Sequence, residues 1–426
     1  MSILILHKKN LSRRRHLARA QKYAAEHGEK LLLVMKDPTW EAEYVDRVAL
    51  ADTSDLAETT AAVKELQASE EEPIRAVVTF IDSGVPMAAR VAADLGLPSV
   101  SERTAYLARD KFAMREAIAR AGGVAQPRYG LARTLEEART EAARIGYPLV
   151  LKPFIGSGSM YVRSVDSEAE LQRWFEETRR GAWEGFEWDP LYDETYRLYE
   201  GALLLEEFVP GAEVSVESLV SDGETCVVAV HDKPLPTGPT FEEVYACTPT
   251  RLAPHIVTRL AEATAAAHRA LGIHTGGTHV EFRLRGEEPV ILEAAARLGG
   301  GPICRSVQLS TGVDMVEAVL DLATGRAPGV RPLPEPRAVG FWNIFPERPG
   351  VLTAVSGLER AGADDRVDEI QIYREPGEFL DVPPHTFQSH GHLIFTVDGT
   401  DRLDAVFAEM VRTVRLETSP DGGVHE

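Results

Sequence analysis

Two stretches with alternating apolar residues decide the fold: Thr278-His279-Val280-Glu281-Phe282-Arg283-Leu284 and, after Arg285-Gly286-Glu287-Glu288, Pro289-Val290-Ile291-Leu292-Glu293-Ala294. They predict a β-hairpin. If Val280, Phe282 and Leu284 share one face with Val290, Leu292 and Ala294, then Glu281 lies opposite Glu293 on the other face. Opposed carboxylates about 5 Å apart repel each other, which favours a divalent cation between them. Oxygen ligands favour Mg²⁺ over zinc, and a solvated hairpin with screened acids is the alternative.

The segment after this hairpin reads Ala295-Ala296-Arg297-Leu298-Gly299-Gly300-Gly301-Pro302. A guanidinium at Arg297 can bind a carboxylate or an acyl phosphate bidentately, whereas an ordinary surface arginine is the alternative. Because Gly299, Gly300 and Gly301 remove side-chain bulk beside it, we expect a roomy substrate pocket that admits large or aromatic groups. Arg305 is a further candidate for substrate binding.

A lysine and a Gly/Ser-rich loop lie upstream. Lys152 ends a strand-like stretch and is followed by Pro153-Phe154-Ile155-Gly156-Ser157-Gly158-Ser159-Met160. A lysine within an apolar strand requires an anionic partner, and the loop offers N–H and hydroxyl donors to a phosphate. It is neither a Walker A loop nor a dinucleotide fingerprint, and a plain hairpin turn is the alternative.

A third stretch, Leu203-Leu204-Leu205-Glu206-Glu207-Phe208-Val209-Pro210-Gly211-Ala212-Glu213, passes from an apolar strand into acids and a turn. It can supply an apolar slot with backbone groups for adenine and a carboxylate for ribose. A strand that ends in an exposed turn explains this piece equally well.

The chain as a whole predicts an α/β protein of several units. Residues 1–105 alternate apolar runs with helical spacing, which indicates a Rossmann-like parallel sheet, and Asp82 and Ser83 follow its third run at the edge where such sheets bind ligands. The alternative there is a turn and helix cap. Residues 106–145 look helical, a strand is expected at Tyr161-Val162, and 168–200 is expected to be a packed insertion rather than a mobile lid. A final helix is predicted from Asp401 to Val414.

Bulk composition excludes several classes of protein. The formal net charge of −20 disfavours a nucleic-acid surface. Three widely spaced cysteines, Cys226, Cys247 and Cys304, predict neither a disulfide framework nor a thiolate zinc site. Since the short apolar N-terminus does not resemble a signal peptide and no apolar run is long enough to span a membrane, we expect a cytoplasmic enzyme.

Taken in order, these motifs resemble the ATP-grasp superfamily and, within it, the L-amino acid ligases, over roughly residues 75–325. The resemblance implies that Lys111 binds phosphate, that Lys152 contacts the α-phosphate and adenine region, and that residues 156–160 form the phosphate loop. It likewise implies that Glu206, Glu207, Phe208 and Val209 border adenine, that Glu213 binds ribose, that Glu281 and Glu293 bind metal, and that Arg297 is the arginine that follows them.

Two departures from the family pattern concern the site. Ala295 stands where many members have an asparagine that binds metal, although some amino-acid ligases also lack it. Ala246 stands where a family segment continues with a histidine, which leaves Glu243, His231 and Lys233 as weaker candidates.

The resemblance implies four units: a Rossmann-like domain (1–105), a small lobe with connecting helices (106–207), a large lobe with the metal site (208–330) and a C-terminal α/β extension (331–426). It implies ATP with two Mg²⁺ ions, or Mn²⁺, a small-molecule carboxylate and an amine as substrates, an acyl phosphate intermediate, and a dipeptide as product. No nucleic-acid or membrane partner is expected, and a homodimer is the expected assembly. A bicarbonate-dependent carboxylase, a ligase for a dedicated natural-product acid, and a nucleotide-binding regulator without turnover are the alternatives.

Overall fold

The computed structural model describes residues 1–235, 238–386 and 389–420. Its first unit contains strands β1 (Ser2–Leu6), β2 (Lys30–Met35), β3 (Arg47–Leu50) and β4 (Ile74–Val78) and helices α1 (Arg14–Glu26), α2 (Leu56–Ser69) and α3 (Val85–Leu95). The strands are parallel in the order β3-β2-β1-β4, which confirms the predicted Rossmann-like sheet. Ile3 and Ile5 pack towards α1, whereas Leu4 and Leu6 pack towards α2 and α3. Continuous apolar runs are expected where helices cover both faces of a sheet.

The next unit is a four-stranded antiparallel sheet with flanking helices. Its elements are α4 (Glu102–Leu107), α5 (Lys111–Ala121), β5 (Tyr129–Ala132), α6 (Leu135–Ile145), β6 (Leu149–Lys152), β7 (Arg163–Val165), α7 (Glu168–Glu184), α8 (Tyr192–Tyr199) and β8 (Leu203–Glu207). The strand order is β5-β8-β6-β7.

Two predictions for this unit were wrong. The region 106–145 is not purely helical, because β5 pairs with β8 and forms an edge of the sheet. Four residues are too few for their alternation to be recognised in the sequence. The strand expected at Tyr161-Val162 begins only at Arg163, since Tyr161 has a positive φ of 57°, which an extended strand does not permit.

The insertion 168–200 is packed, as predicted. Leu171 and Phe175 of α7 are fully buried against the sheet, and Trp183 donates a hydrogen bond from Nε1 to the carbonyl of Ala202 at 2.9 Å. Phe186, in the turn before α8, packs with Met160 of the Gly/Ser loop.

The large lobe and the C-terminal extension share an eight-stranded sheet of order β13-β12-β9-β10-β11-β14-β18-β16. The large lobe contributes β9 (Glu213–Ser221), β10 (Glu224–Leu235), β11 (Tyr245–Thr248), α9 (Pro254–Leu271), β12 (Gly276–Arg285), β13 (Glu288–Ala295), α10 (Ile303–Thr311) and α11 (Met315–Ala323). The extension contributes β14 (Ala338–Ile344), β15 (Gly350–Ser356), α12 (Leu358–Gly362), β16 (Val367–Ile372), β17 (Phe379–Leu380), β18 (Gly391–Val397), α13 (Leu403–Thr413) and β19 (Arg415–Ser419).

Within this part, β15 pairs with β17 and β19 in a separate three-stranded sheet. The final helix, α13, is two residues shorter at its N-terminal end than predicted, because Thr400–Arg402 forms a 3-10 turn. Since β14 pairs with β11, the C-terminal extension continues the sheet of the large lobe.

The hairpin that decides the fold is formed by β12 and β13, and Glu281 lies opposite Glu293 as predicted. The predicted register is confirmed from the pair of His279 and Ala295 to this pair, and it changes on the side towards the turn. A β-bulge follows it, in which Phe282 faces Ile291 and Leu292 is the extra residue. Ile291 therefore enters the core with Phe282, and Leu292 lines the cavity instead of sharing the apolar face.

Candidate active site

A cavity between the small and large lobes, here called the nucleotide cavity, collects most of the residues that the motifs single out. Its lining includes Lys111, Lys152, Gly156, Ser157, Gly158, Ser159, Met160, Glu206, Glu207, Phe208, Val209, Glu213, Lys233, Glu243, Glu281, Leu292, Glu293, Arg297 and Gly300. Segments separated by more than a hundred residues in the sequence thus face one space.

Lys152 has its anionic partner within the protein. Its Nζ lies 2.5 Å from Oε2 of Glu206 on the neighbouring strand β8. Arg115, which the sequence analysis did not identify, donates from Nε to the other oxygen of Glu206 at 2.7 Å and from Nη2 to the carbonyl of Leu292 at 2.7 Å. Burial lowers the pKa of Lys152. Burial acts to raise the pKa of Glu206, but Arg115 and Lys152 hold it below its ordinary value.

The Gly/Ser loop is shaped by its glycines and covered by the packed insertion. Gly156 has a φ of +120°, and a Cβ there would lie 2.4 Å from a ring carbon of Phe186, so only glycine fits. Ser159 also has a positive φ, of 55°. Lys111, at the start of α5, donates from Nζ to the carbonyl of Gly156 at 3.5 Å. The loop therefore lies over the cavity with a lysine ammonium beneath it.

The opposed carboxylates of Glu281 and Glu293 are each paired with a lysine. The Lys233 Nζ lies 2.7 Å from Glu281 Oε1, and the Lys111 Nζ lies 3.1 Å from Glu293 Oε2. Burial opposes ionisation, but Lys233 and His279 hold the pKa of Glu281 well below its usual range. Charged carboxylate oxygens that face a cavity from adjacent strands are the donor set that Mg²⁺ prefers, so these residues fit the expected ion.

Lys233 lies at the centre of an acidic cluster, although the sequence ranked it as a weaker candidate. Besides Glu281, its Nζ lies 3.1 Å from Glu213 and 3.3 Å from Glu243. Burial acts to lower the pKa of Lys233, but the three carboxylates raise it well above the ordinary value. Glu213 also accepts a hydrogen bond from Nε of Arg283 at 2.9 Å. The expected ribose acid is thus held in place from two sides.

Behind the acidic cluster lies a buried histidine–carboxylate pair that sequence reasoning missed. His279 contacts Glu217 at 2.7 Å through Nδ1 and Glu281 at 3.3 Å through Nε2. Burial acts to lower the pKa of His279, but Glu217 and Glu281 raise it to about 10. Glu217 carried no sequence signal comparable to that of Lys152, because β9 mixes apolar residues with serines and acids along its whole length. The candidate His231 contacts Ser306 at 2.7 Å and is fully buried outside the cavity lining.

A second cavity, here called the substrate cavity, adjoins the first, and the two share Ser157, Gly158, Glu243, Arg297 and Gly300 in their linings. The N-terminal domain and the C-terminal extension both contribute to its walls.

The predicted ligand residues Asp82 and Ser83 line the substrate cavity. Asp82 accepts from Nε of Arg297 at 2.7 Å and is also paired with Arg109, which in turn pairs with Asp189 of the insertion. Asp82 is therefore a counter-ion that positions Arg297 at the junction of the two cavities.

The three glycines after Arg297 differ in their surroundings. A Cβ on Gly299 would lie 2.6 Å from Ile303, so this glycine allows close packing rather than an open pocket. Gly300 and Gly301 line the substrate cavity, as expected for a pocket with little side-chain bulk. Arg305 lies in neither cavity lining and donates from Nε to Asp368 at 2.8 Å. We therefore leave Arg305 out of the proposed site.

With this geometry established, three family models match separate parts of the chain. Residues 145–305 match the model described as ATP-grasp domain, and residues 22–99 match the ATP-grasp N-terminal domain. The centre of the chain is thus an ATP-grasp domain, and the resemblance drawn from the motifs is confirmed. Residues 343–419 match L-amino acid ligase C-terminal domain 2, which places the likeness with the amino-acid ligases in particular.

Individual proteins show the same likeness. An uncharacterized protein of Sinorhizobium fredii is 26% identical over 90% of this chain and 76% of its own length. The alanine–anticapsin ligase of Bacillus subtilis is 29% identical over 58% of this chain and 54% of its own length, so the chain spans about half of that relative. The crystal structure of an L-amino acid ligase from Bacillus licheniformis superposes with a TM-score of 0.80 at 23% identity, covering 98% of both chains, and shows the same fold.

Among the helices that the structure describes, none combines the length and the apolar character that a membrane crossing requires.

Proposed function

We propose that this protein is an ATP-dependent carboxylate–amine ligase that forms an amide bond through an acyl phosphate and releases ADP and phosphate. The observation that carries the proposal is the hairpin of Glu281 and Glu293, whose opposed acids face a cavity together with Lys111 and Lys233. Two acids and two lysines around one cavity suit a nucleoside triphosphate with divalent cations. The named ligases among the similar proteins support amide formation as the reaction.

In this proposal, ATP occupies the nucleotide cavity. Lys111, Lys152 and residues 156–160 bind its phosphates, Glu207 to Val209 border the adenine, and Glu213 binds the ribose. Glu281 and Glu293 would hold Mg²⁺, or Mn²⁺, which supplies charge neutralisation on the phosphate oxygens. The side chains of Lys111 and Lys233, which pair with these acids, are then free to contact anionic oxygens of the nucleotide.

The reaction has two steps. A carboxylate oxygen of the acid attacks the γ-phosphorus, the bond to the β–γ bridging oxygen breaks, and ADP leaves. The neutral amine then attacks the acyl carbon, loses a proton, and expels inorganic phosphate as the amide forms. Catalysis is mainly positioning and charge neutralisation. Arg297, at the junction of the two cavities, is placed to orient the reacting carboxylate, and closure of the Gly/Ser loop keeps water from the acyl phosphate.

We propose amino acids as the acid and the amine, with a dipeptide as the product. The lining of the substrate cavity combines Gly300 and Gly301, which contribute no side-chain bulk, with the aromatic rings of Phe345 and Tyr373, and this supports a large side chain on one substrate. A preference for only glycine or alanine at both positions would contradict this assignment. The similar alanine–anticapsin ligase supports the alternative in which one of the two substrates is a dedicated natural product, and the screen below includes such acids.

The test is a phosphate-release screen over pairs of amino acids and non-proteinogenic acids, with mass spectrometry of the products. Glu293→Ala should lower the rate at least about 100-fold, because removal of a group that stabilises developing charge has an effect of this size. Lys152→Ala should also abolish turnover. Glu288→Ala, an exposed acid at the tip of the same hairpin, is the matched control. Phosphate release that requires bicarbonate and no amine would instead identify a carboxylase.

A further inference from the structure

Arg13, at the end of the 3-10 turn Leu11–Arg13 before α1, is a buried cation that has no carboxylate partner in the described part of the chain. It is 6% exposed. Among the residues that the structure describes, its hydrogen bond is from Nη1 to the backbone carbonyl of Gly299 at 3.3 Å, its Nε has no acceptor, and no acidic group lies within ion-pair distance. Leaving a guanidinium buried and unpaired is costly.

The groups around Arg13 increase the free-energy cost of burying its unpaired guanidinium. Burial, and after it the partly buried cation Arg297, lowers the pKa of Arg13 to about 10. The Nη2 atom of Arg13 lies 3.8 Å from the position that a Cβ on Gly300 would take, so the guanidinium group sits against the glycine segment. An anion supplied from outside the protein would relieve both the missing partner and the repulsion.

The position of Arg13 limits which anion this can be. Arg297 and Gly300 line both cavities, whereas Arg13 lines the substrate cavity only. The carboxylate that attacks the γ-phosphorus must lie at the junction of the two cavities, near Arg297. A carboxylate beside Arg13 is farther from the nucleotide and therefore does not react.

We propose that Arg13 binds the unreacted carboxylate of the amine substrate, so that the enzyme accepts α-amino acids with a free carboxylate and discriminates against amines that lack one. This inference rests on the ligase function proposed above. Discrimination arises because an acceptor without the carboxylate leaves the buried guanidinium unpaired. Arg13 is a specificity-determining residue in this scheme, contributed by the N-terminal domain.

The experiment compares Arg13→Met, Arg13→Lys and the wild type with three nucleophiles: an amino acid, the corresponding amino acid amide, and hydroxylamine. Hydroxylamine traps the acyl phosphate as a hydroxamate and needs no acceptor carboxylate. For Arg13→Met, we expect the KM for the amino acid to rise about 10- to 100-fold, the size of a lost charge-assisted hydrogen bond. Hydroxamate formation and the KM for the amide should stay within about twofold of wild type, and Arg13→Lys should recover part of the affinity.

The control is Arg14→Gln, which changes the next residue, an exposed arginine outside both cavities. Equal loss of hydroxamate and dipeptide in Arg13→Met would overturn the proposal, because Arg13 would then act on the acid substrate. An unchanged KM for the amino acid would overturn it as well. If the wild type itself forms no hydroxamate with any acid, the ligase function fails, which is a result separate from the outcome at Arg13.

Discussion

The two cavities differ in how their charges are satisfied before any ligand binds. In the nucleotide cavity, each of the three lysines is paired with a carboxylate: Lys111 with Glu293, Lys152 with Glu206, and Lys233 with Glu281. In the substrate cavity, Arg13 has no acidic partner, and the buried Oε2 atom of Glu242 has no donor among the described residues. The lysine charges of the first cavity are therefore balanced by the protein itself, whereas the second keeps charges available for its ligand.

The largest expected effect tests this comparison through two buried arginines. Arg115→Leu should lower the free energy of unfolding by about 3–5 kcal/mol, because it removes one of the two cations that balance the buried Glu206. Arg13→Met should cost no more than about 1–1.5 kcal/mol, since it removes only a hydrogen bond to a carbonyl and leaves no unpaired acid. Urea unfolding of both variants measures the difference.

Arg120→Leu is the control for Arg115, because Arg120 is exposed on the same helix. Equal losses of unfolding free energy in Arg115→Leu and Arg13→Met would mean that the two cavities do not differ in how their charges are satisfied. The reason for proposing that Arg13 binds a ligand would then be lost.

The same contrast explains what the sequence could reveal. The nucleotide cavity is built from motifs in which neighbouring residues act together, so alternation in one hairpin was enough to place Glu281 opposite Glu293. The bulge at Leu292 could not be predicted, because it depends on packing against the core rather than on the local pattern.

The substrate cavity could not be predicted from the sequence, for a different reason. Its walls combine Arg13, Gly300 and Tyr373, which come from three units of the chain and form no local pattern. Arg115 and Glu217 could not be singled out either, because α5 and β9 both contain other polar or charged residues, and only the fold shows which partner each one contacts.

A smaller effect is expected at the boundary between the two cavities. Gly299→Ala should destabilise the protein by about 1–3 kcal/mol, because its Cβ would lie 2.6 Å from Ile303 and 2.9 Å from Glu217. Gly300→Ala should leave stability within about 0.5 kcal/mol, since its nearest neighbour, Arg13, lies 3.8 Å away. Thermal unfolding of the two adjacent variants measures this, and a larger loss for Gly300→Ala would show that the pocket beside it is closed rather than open.

An effect that depends on pH is expected from histidines near each cavity. Carboxylates raise the pKa of His279 to about 10, whereas burial, with a contribution from Arg13, lowers the pKa of His7 to about 3. A group whose pKa is lower in the folded than in the unfolded state binds more protons when unfolded. The stability associated with neutral His7 is therefore fully present above about pH 6.5 and is lost as the pH falls towards 3.

Between pH 6.5 and pH 4.5, this group should remove up to about 1.4 kcal/mol of stability for each pH unit. His7→Leu should make the acid-side decline in unfolding free energy shallower by that amount, whereas His274→Leu, at an exposed position, should leave the slope unchanged. If His7→Leu keeps the full wild-type slope, His7 does not contribute to the acid-side loss of stability, and a pKa lowered by burial of its imidazole is contradicted.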